Sequence, residues 1–183
     1  DTEEYYESVA RALIKKKGRA KFPSNEDIKT ALRDKDLYNT QPKNRNYLFE
    51  MLENFNNREY VNTNNELITI EHIFPKNPSD EWNQELSTED FFLFKEKYLN
   101  TIGNLTLSGN NSALGNRSFK AKKEMNIGEN EQGYNFSKLW LNVFLRSIDI
   151  WNAAAYEERL NIIYERFVKI LTFPDIEITE IED

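Results

Sequence analysis

The stretch ITIEHIFP, residues 68–75, governs both the fold and the chemistry expected of this chain, whose single histidine is His72. β-Branched residues before the Glu-His pair predict a short strand, and Pro75 ends it because proline cannot donate to a strand ladder. Further along, the sequence GNLTL at 103–107 predicts a second strand. An asparagine-rich turn and a basic helix over about 117–125 follow. Two strands and a helix around polar residues are therefore the expected centre of the fold.

Composition excludes several classes of protein. Hydrophobic residues make up 39% of the 183 residues and aromatic residues 13%, which excludes disorder over the whole length. No apolar run approaches the roughly 20 residues of a membrane span. The absence of cysteine excludes disulfides and cysteine-based zinc sites, and it suits a cytoplasmic protein.

The charge is unevenly distributed along the chain. A net charge of −7 argues against a general nucleic-acid coat protein. Two runs, 11–21 and 117–123, are nevertheless basic and contain no acid, which favours local contact with phosphates. For the 11–21 run alone, a solvated helix face is an equally good interpretation.

Helical periodicity predicts that helices surround the two-stranded ribbon, among them one opened by Ser24 and one over about 152–171. We divide the chain into an N-terminal helical segment (1–60), a core (61–126) and C-terminal helices with an acidic tail (127–183). The core carries a helical insertion at 76–100, and the three segments are expected to form one compact domain. Because the chain begins at Asp1 and not with methionine, we expect it to be a fragment of a longer polypeptide.

The Glu-His pair has the side chains that phosphodiester hydrolysis needs. Imidazole is the side chain best able to take a proton from water near neutral pH, and His72 is the one histidine available. Glu71 offers a hard oxygen ligand for a divalent ion, and the amide oxygen of Asn111 offers a second. With so few protein oxygens such a site would keep water ligands and favour Mg²⁺, or Mn²⁺, over structural zinc.

Asparagines supply the remaining part of this site. Asn104 is expected to brace the loop that carries His72. The alternative for Asn104, Asn110 and Asn111 is ordinary turn chemistry around Gly109. Glu-His at a strand end, an asparagine at the second strand and an asparagine before a helix are together the parts of a one-metal nuclease hairpin.

Three strings resemble the HNH nuclease domain at the C-terminus of GmrSD-type modification-dependent restriction enzymes. They are EHIFP at 71–75, TIGNLTL at 101–107 and NSALGNRSF at 111–119, the last followed by a lysine pair. A weaker likeness extends to FPSNEDIKTAL at 22–32, to the Asp36-Leu-Tyr step and to the closing helix, so that most of 20–171 is covered.

This resemblance implies a mainly α fold in which a ββα-metal (HNH, His-Me finger) core with its small β-hairpin is embedded in helices. It implies His72 as general base, Asn104 as the structural asparagine, and Glu71 and Asn111 as metal ligands. Two departures stand out: the residue before the histidine is more often aspartate in HNH enzymes, and Asn110 stands beside Asn111 as an alternative ligand.

The resemblance also implies partners and a role in defence. The substrate would be DNA, in particular modified phage DNA, and a ParB-like nucleotide-hydrolysing domain or subunit would precede this chain. Nothing in the sequence forms a glycine-rich phosphate loop, so nucleotide hydrolysis would belong to that preceding part.

Basic residues of the 117–123 run are the predicted phosphate contacts, with Arg117 the strongest candidate, followed by Lys120 and Lys122. Two other functions compete with a DNA endonuclease. One is a helical interaction or regulatory module whose nuclease hairpin is vestigial, and the other is an HNH-type RNase that differs only in substrate.

Overall fold

A computed structural model describes residues 2–20, 22–63, 65–128 and 130–171, which are mainly helical and include two small antiparallel hairpins. The strands are β1 (Thr69–His72), β2 (Leu105–Ser108), β3 (Asn126–Ile127) and β4 (Glu131–Gln132). The α-helices are α1 (Thr2–Ile14), α2 (Asn25–Asp34), α3 (Pro42–Asn54), α4 (Trp82–Glu85), α5 (Thr88–Leu93), α6 (Asn111–Leu114), α7 (Phe119–Glu124), α8 (Val143–Ser147) and α9 (Ala153–Ile170).

The mainly helical chain with a small hairpin is confirmed, whereas the β3–β4 hairpin was not predicted, because strands of two residues are too short to show alternation. A π-helical turn, Phe94–Tyr98, continues α5, and short 3₁₀ turns cover Gly18–Ala20, Ile102–Asn104, Tyr134–Phe136 and Trp140–Asn142. The predicted acidic tail lies outside the described residues. Within the described residues, no helix is long and apolar enough to cross a bilayer.

Helix α2 shows how local sequence determines an element. The Ser24 hydroxyl accepts from the Asp27 N–H, and the Asp27 carboxylate accepts from the Ser24 N–H at 2.9 Å, which completes a capping box. The helix then buries Ile28 and Leu32, one turn apart, against the core.

The hairpin that carries His72 is antiparallel, with Thr69 opposite Ser108 and His72 opposite Leu105. The predicted second strand begins at Leu105, two residues later than expected, because the preceding residues form a 3₁₀ turn. Gly103 in that turn lies against the Tyr156 ring, where an added Cβ would stand 2.3 Å from a ring carbon.

The basic helix predicted over 117–125 also begins late. Ser118 caps α7 by accepting from the Ala121 N–H, and the separate short helix α6 precedes it. Gly115, at a φ of +50°, ends α6 in a backbone conformation that favours glycine. Arg117 therefore lies before the cap and outside the helix.

Helix α9 packs against the 3₁₀ turn that precedes β2. Its Arg159 side chain is 2% exposed and donates to the carbonyls of Ile102, Gly103, Leu105 and Leu141 at 2.7–3.2 Å. Because buried carbonyls need donors, this guanidinium stabilises the loop between the insertion and β2. The aromatic rings of Phe74, Phe94, Trp151 and Tyr156 pack together in the core in stacked, tilted or edge-to-face arrangements.

Candidate active site

His72 is the last residue of β1 and is 9% exposed. Its ring centroid lies 4.5 Å from that of Tyr38, and its Nε2 lies 3.2 Å from the Asn100 Oδ1. The Lys76 ammonium stands 4.0 Å from the centroid of the same Tyr38 ring. The imidazole is thus enclosed by side chains from two segments distant in sequence.

A chain of hydrogen bonds selects the tautomer of His72. The Asn100 Nδ2 donates to the Asp36 Oδ2 at 3.0 Å, and a carboxylate can only accept, so this contact orients the Asn100 amide. The Asn100 Oδ1 then faces His72 and can only accept in turn. In the neutral imidazole Nε2 must therefore carry the hydrogen, which leaves Nδ1 as the basic nitrogen.

The pKa of His72 is lowered to about 4, chiefly by burial and in smaller part by the charges of Lys76 and Lys122. The contact with Asn100 and the Asp36 carboxylate oppose this shift. Burial also opposes ionisation of Asp36, but hydrogen bonds from Asn39 and Asn100 outweigh it, so that the pKa of Asp36 is lowered. At neutral pH the site therefore contains a neutral imidazole and an ionised carboxylate.

Asn104 connects the two strands at the point where His72 leaves β1. The fully buried amide accepts from the Phe74 N–H at 2.8 Å and from the Trp151 indole at 3.2 Å. Its nitrogen donates to the carbonyls of Phe74 and Leu99, both at 2.9 Å. This is the geometry expected of a brace for the loop after His72.

Glu71 is held by a buried lysine. The Lys122 Nζ donates to the Glu71 Oε1 at 2.5 Å and to the His72 carbonyl at 2.7 Å, and the two residues are 0% and 3% exposed respectively. Burial raises the pKa of Glu71 and lowers that of Lys122, although the charge of each group favours ionisation of the other. The prediction that Lys122 contacts DNA phosphates is wrong, because its ammonium is enclosed and anchors the end of β1.

The two neighbouring asparagines face different partners. The Asn111 nitrogen donates to the Ile70 carbonyl at 2.7 Å and to the Thr69 hydroxyl at 3.1 Å, beside β1. Asn110 instead donates to the Gln132 carbonyl at 2.9 Å, in the second hairpin. Of the two, Asn111 is therefore the one whose amide lies against the strand of Glu71 and His72. Across the described ranges, no three histidine, cysteine, aspartate or glutamate side chains form a metal-binding cluster.

Arg117 and Lys120 are exposed, as phosphate contact requires. The start of α7 is, however, already occupied by the Glu85 carboxylate, which accepts from the Phe119 and Lys120 N–H groups at 2.9 and 3.2 Å. The N–H groups at this helix start are thus paired with a carboxylate of the chain itself, and any phosphate contact would depend on the side chains.

A family model for the C-terminal domain of GmrSD restriction endonucleases matches residues 22–166. The chain belongs to this family. The matched range of the GmrSD C-terminal domain includes β1, β2, the residues that surround His72 and the Arg159 that supports the turn before β2. Membership indicates the nuclease module of a restriction endonuclease. No curated protein matches the chain.

Four residues around the histidine of this GmrSD domain, namely Asp36, Tyr38, Lys76 and Asn100, were not predicted as site residues. Asn100 ends the insertion, Tyr38 follows α2, and Lys76 follows Pro75. Asp36 and Tyr38 belong to a step that was noted for its likeness to the family, but no local pattern assigns them a role. Their contacts with His72 and Asn100 arise only when segments far apart in sequence come together.

Proposed function

We propose that this domain is a metal-dependent HNH endonuclease that hydrolyses DNA phosphodiester bonds, with β1, β2 and the helices after them as a ββα-metal core. In this proposal it is the cleavage module of a modification-dependent restriction enzyme that acts on modified phage DNA, and a nucleotide-hydrolysing domain or subunit precedes it. One observation carries the proposal: the Asp36–Asn100–His72 chain, which leaves a neutral imidazole with a defined basic nitrogen.

The proposed role of His72 is to accept a proton from the attacking water at Nδ1. A low pKa keeps the imidazole unprotonated and ready to accept at neutral pH. As the proton arrives, the Asn100 oxygen and the Asp36 charge stabilise the imidazolium. Asn104 and Lys122 are positioning residues in this scheme, because they hold the backbone on either side of the imidazole.

Glu71 and Asn111 are the side chains that would hold the metal ion. Carboxylate and amide oxygens are ligands that suit Mg²⁺, and two of them leave coordination positions for water and phosphate. The nitrogen of Asn111 is engaged by β1, which leaves its oxygen for the ion, whereas Glu71 would share its carboxylate with Lys122. When bound, a divalent ion orients the scissile phosphate and stabilises the leaving oxygen.

The test is cleavage of DNA containing modified bases, by this domain in its full polypeptide, with Mg²⁺ or Mn²⁺ and with EDTA. We expect His72→Ala to lower the cleavage rate by about two to four orders of magnitude, the range for a positioned general base. Asn161→Ala, on α9, is a matched control.

Three outcomes would overturn the proposal. Equal cleavage by wild type and His72→Ala would remove the catalytic role of the imidazole. Absence of metal-dependent cleavage in the wild-type protein would favour a vestigial interaction module. Cleavage of RNA but not of DNA would favour the RNase alternative.

A further inference from the structure

A polar cavity of about 370 Å³ is lined in part by Tyr38, the residue whose ring contacts the imidazole of His72. Arg45, Thr63, Asn65 and Asn111 line it with polar groups, and the buried side chains of Phe49 and Leu107 form an apolar floor. Ligand pockets typically have this size and this mixture of an apolar floor with a few converging polar groups. Among the residues of the described ranges that line it, one is cationic and none is acidic.

Two polar atoms at this cavity are buried without a hydrogen-bond partner within the described part of the chain. They are the Thr63 hydroxyl, on a residue that is 4% exposed, and the Arg45 Nε. A buried polar atom without a partner costs about 1–3 kcal/mol, so such atoms call for a ligand. Both atoms are donors, and therefore suit an acceptor such as a phosphate oxygen.

Arg45 is already oriented within this cavity. Its Nη1 donates to the Tyr38 carbonyl, and its guanidinium carbon lies 5.3 Å from the centroid of the Tyr38 ring. The Nε, on the opposite edge from Nη1, is therefore on the edge that forms paired hydrogen bonds to two oxygens of one phosphate. The carboxylate that would usually neutralise such an edge is absent among the described lining residues.

The distance from the imidazole suits a substrate strand. The His72 and Arg45 groups both contact the Tyr38 ring, from 4.5 and 5.3 Å, so their separation cannot exceed the sum of these distances. Phosphates along one strand of duplex DNA follow each other at about 3.4 Å along the axis. A phosphate a few nucleotides at most from the scissile one would therefore reach Arg45.

We propose that this cavity binds one nucleotide of the DNA strand being cut, with its phosphate on Arg45 and Thr63 and its sugar and base over the Phe49 floor. This inference rests on the proposed function, since it presumes that His72 marks the scissile phosphate. It assigns DNA contact to residues outside the basic run at 117–123.

Binding is measured first, in EDTA, by fluorescence anisotropy of a labelled 20-base-pair duplex with modified bases, using the His72→Ala protein in its full polypeptide. We expect Arg45→Gln to weaken binding by about 10- to 100-fold, as for a charged hydrogen bond. The slope of log affinity against log salt should fall by about one. Arg146→Gln removes the same charge from an exposed site on α8 and should change affinity by less than about threefold.

Duplexes with one methylphosphonate locate the contact, because this group removes a single phosphate charge. At one position near the cleavage site, the methylphosphonate should weaken binding by the protein that retains Arg45. The same duplex should bind the Arg45→Gln protein as tightly as the unmodified duplex does. A penalty equal in both proteins at every position would overturn the proposal, as would equal binding by Arg45→Gln and Arg146→Gln.

Thr63→Val provides a second test that does not depend on the arginine. Removing an unpartnered buried hydroxyl should leave the thermal midpoint equal or higher, while DNA binding weakens several-fold. Unchanged binding would show that the hydroxyl contacts no phosphate and would contradict the proposal. If Arg45 instead binds thymidine monophosphate while duplex affinity is independent of it, the cavity takes free nucleotides. These binding assays need no cleavage. The nucleotide-binding proposal can therefore fail while the nuclease assignment stands, and the nuclease assignment can fail while Arg45 still binds DNA.

Discussion

Replacing Lys122 by methionine would leave the Glu71 carboxylate buried without its partner. The two groups are 0% and 3% exposed and 2.5 Å apart, so water cannot replace the lost ammonium. Breaking a buried ion pair costs about 3–5 kcal/mol, and each kcal/mol lowers the thermal midpoint of a domain of this size by about 2–4 °C. We therefore expect Lys122→Met to unfold at a temperature roughly 6–20 °C lower than wild type.

The size of this loss should depend on pH. Burial already raises the pKa of Glu71, and without Lys122 it would be raised further. A group whose folded pKa lies above its unfolded value contributes stability at low pH and loses it as pH rises through the folded pKa. Lys122→Met should therefore be closer to wild type at pH 5 than at pH 8.

The double variant Glu71→Leu, Lys122→Met separates pairing from burial. Because burial is the largest cause of both pKa shifts, an apolar pair of similar size should match wild-type stability within about 1 kcal/mol or exceed it. Urea unfolding followed by circular dichroism measures all three proteins. Lys123→Met is the matched control, since its partner Asp149 is exposed, and it should lose less than about 1 kcal/mol.

One result would refute this reasoning directly. If Lys122→Met lost no more free energy of unfolding than Lys123→Met, the pair would not be desolvated. The account of how the end of β1 is fixed would then be wrong. A double variant that is stable but cannot cleave DNA would show that Glu71 or Lys122 also serves the chemistry.

Three further predictions concern the imidazole and its surroundings. The folded pKa of His72, about 4, lies below the unfolded value of 6.5, so the stability that the neutral imidazole contributes is present above pH 6.5 and is lost as pH falls toward 4. The free energy of unfolding of wild type minus that of His72→Asn should therefore change by about 3 kcal/mol across this window. A difference that stays constant with pH would contradict this prediction. Asp36→Asn should weaken the preference for the Nε2–H tautomer, which ¹⁵N spectra of the single histidine report directly, while Asn100→Ala should abolish it; unchanged ring shifts in both would disprove the hydrogen-bond chain. Gly103→Ala should destabilise the fold by about 1–3 kcal/mol or more in urea unfolding, because the new methyl group meets Tyr156, and wild-type stability would show that the ring can move.

Sequence alone predicts those parts of the fold that local chemistry determines. The capping box at Ser24 starts α2 where it was expected, and the closing helix matches its predicted range within a residue at each end. The strand ending in Glu71-His72 is likewise found where its β-branched residues and Pro75 predict it. In each of these cases the residues that form the element also carry its signal.

Contacts between distant segments could not be predicted in the same way. Lys120 and Lys122 look alike in the sequence, yet one is exposed and the other has 0% exposure. Which lysine faces the core depends on where α7 begins, and that is decided by the Ser118 cap. The partner that compensates the buried ammonium, Glu71, lies on β1, 51 residues earlier in the chain, so composition and spacing cannot identify it.

The four carbonyls gathered by Arg159 have a practical consequence for moving this cleavage activity onto another DNA-targeting protein. A graft cut after the basic helix would carry every proposed catalytic side chain but would strip the turn beneath Asn104 of its donors. Arg166 adds to this requirement, since it donates to carbonyls at the end of α3 and stacks 3.8 Å over Trp140. The smallest transplantable unit therefore extends through α9. A shorter unit would contain the proposed catalytic side chains but not the residues that hold them in position.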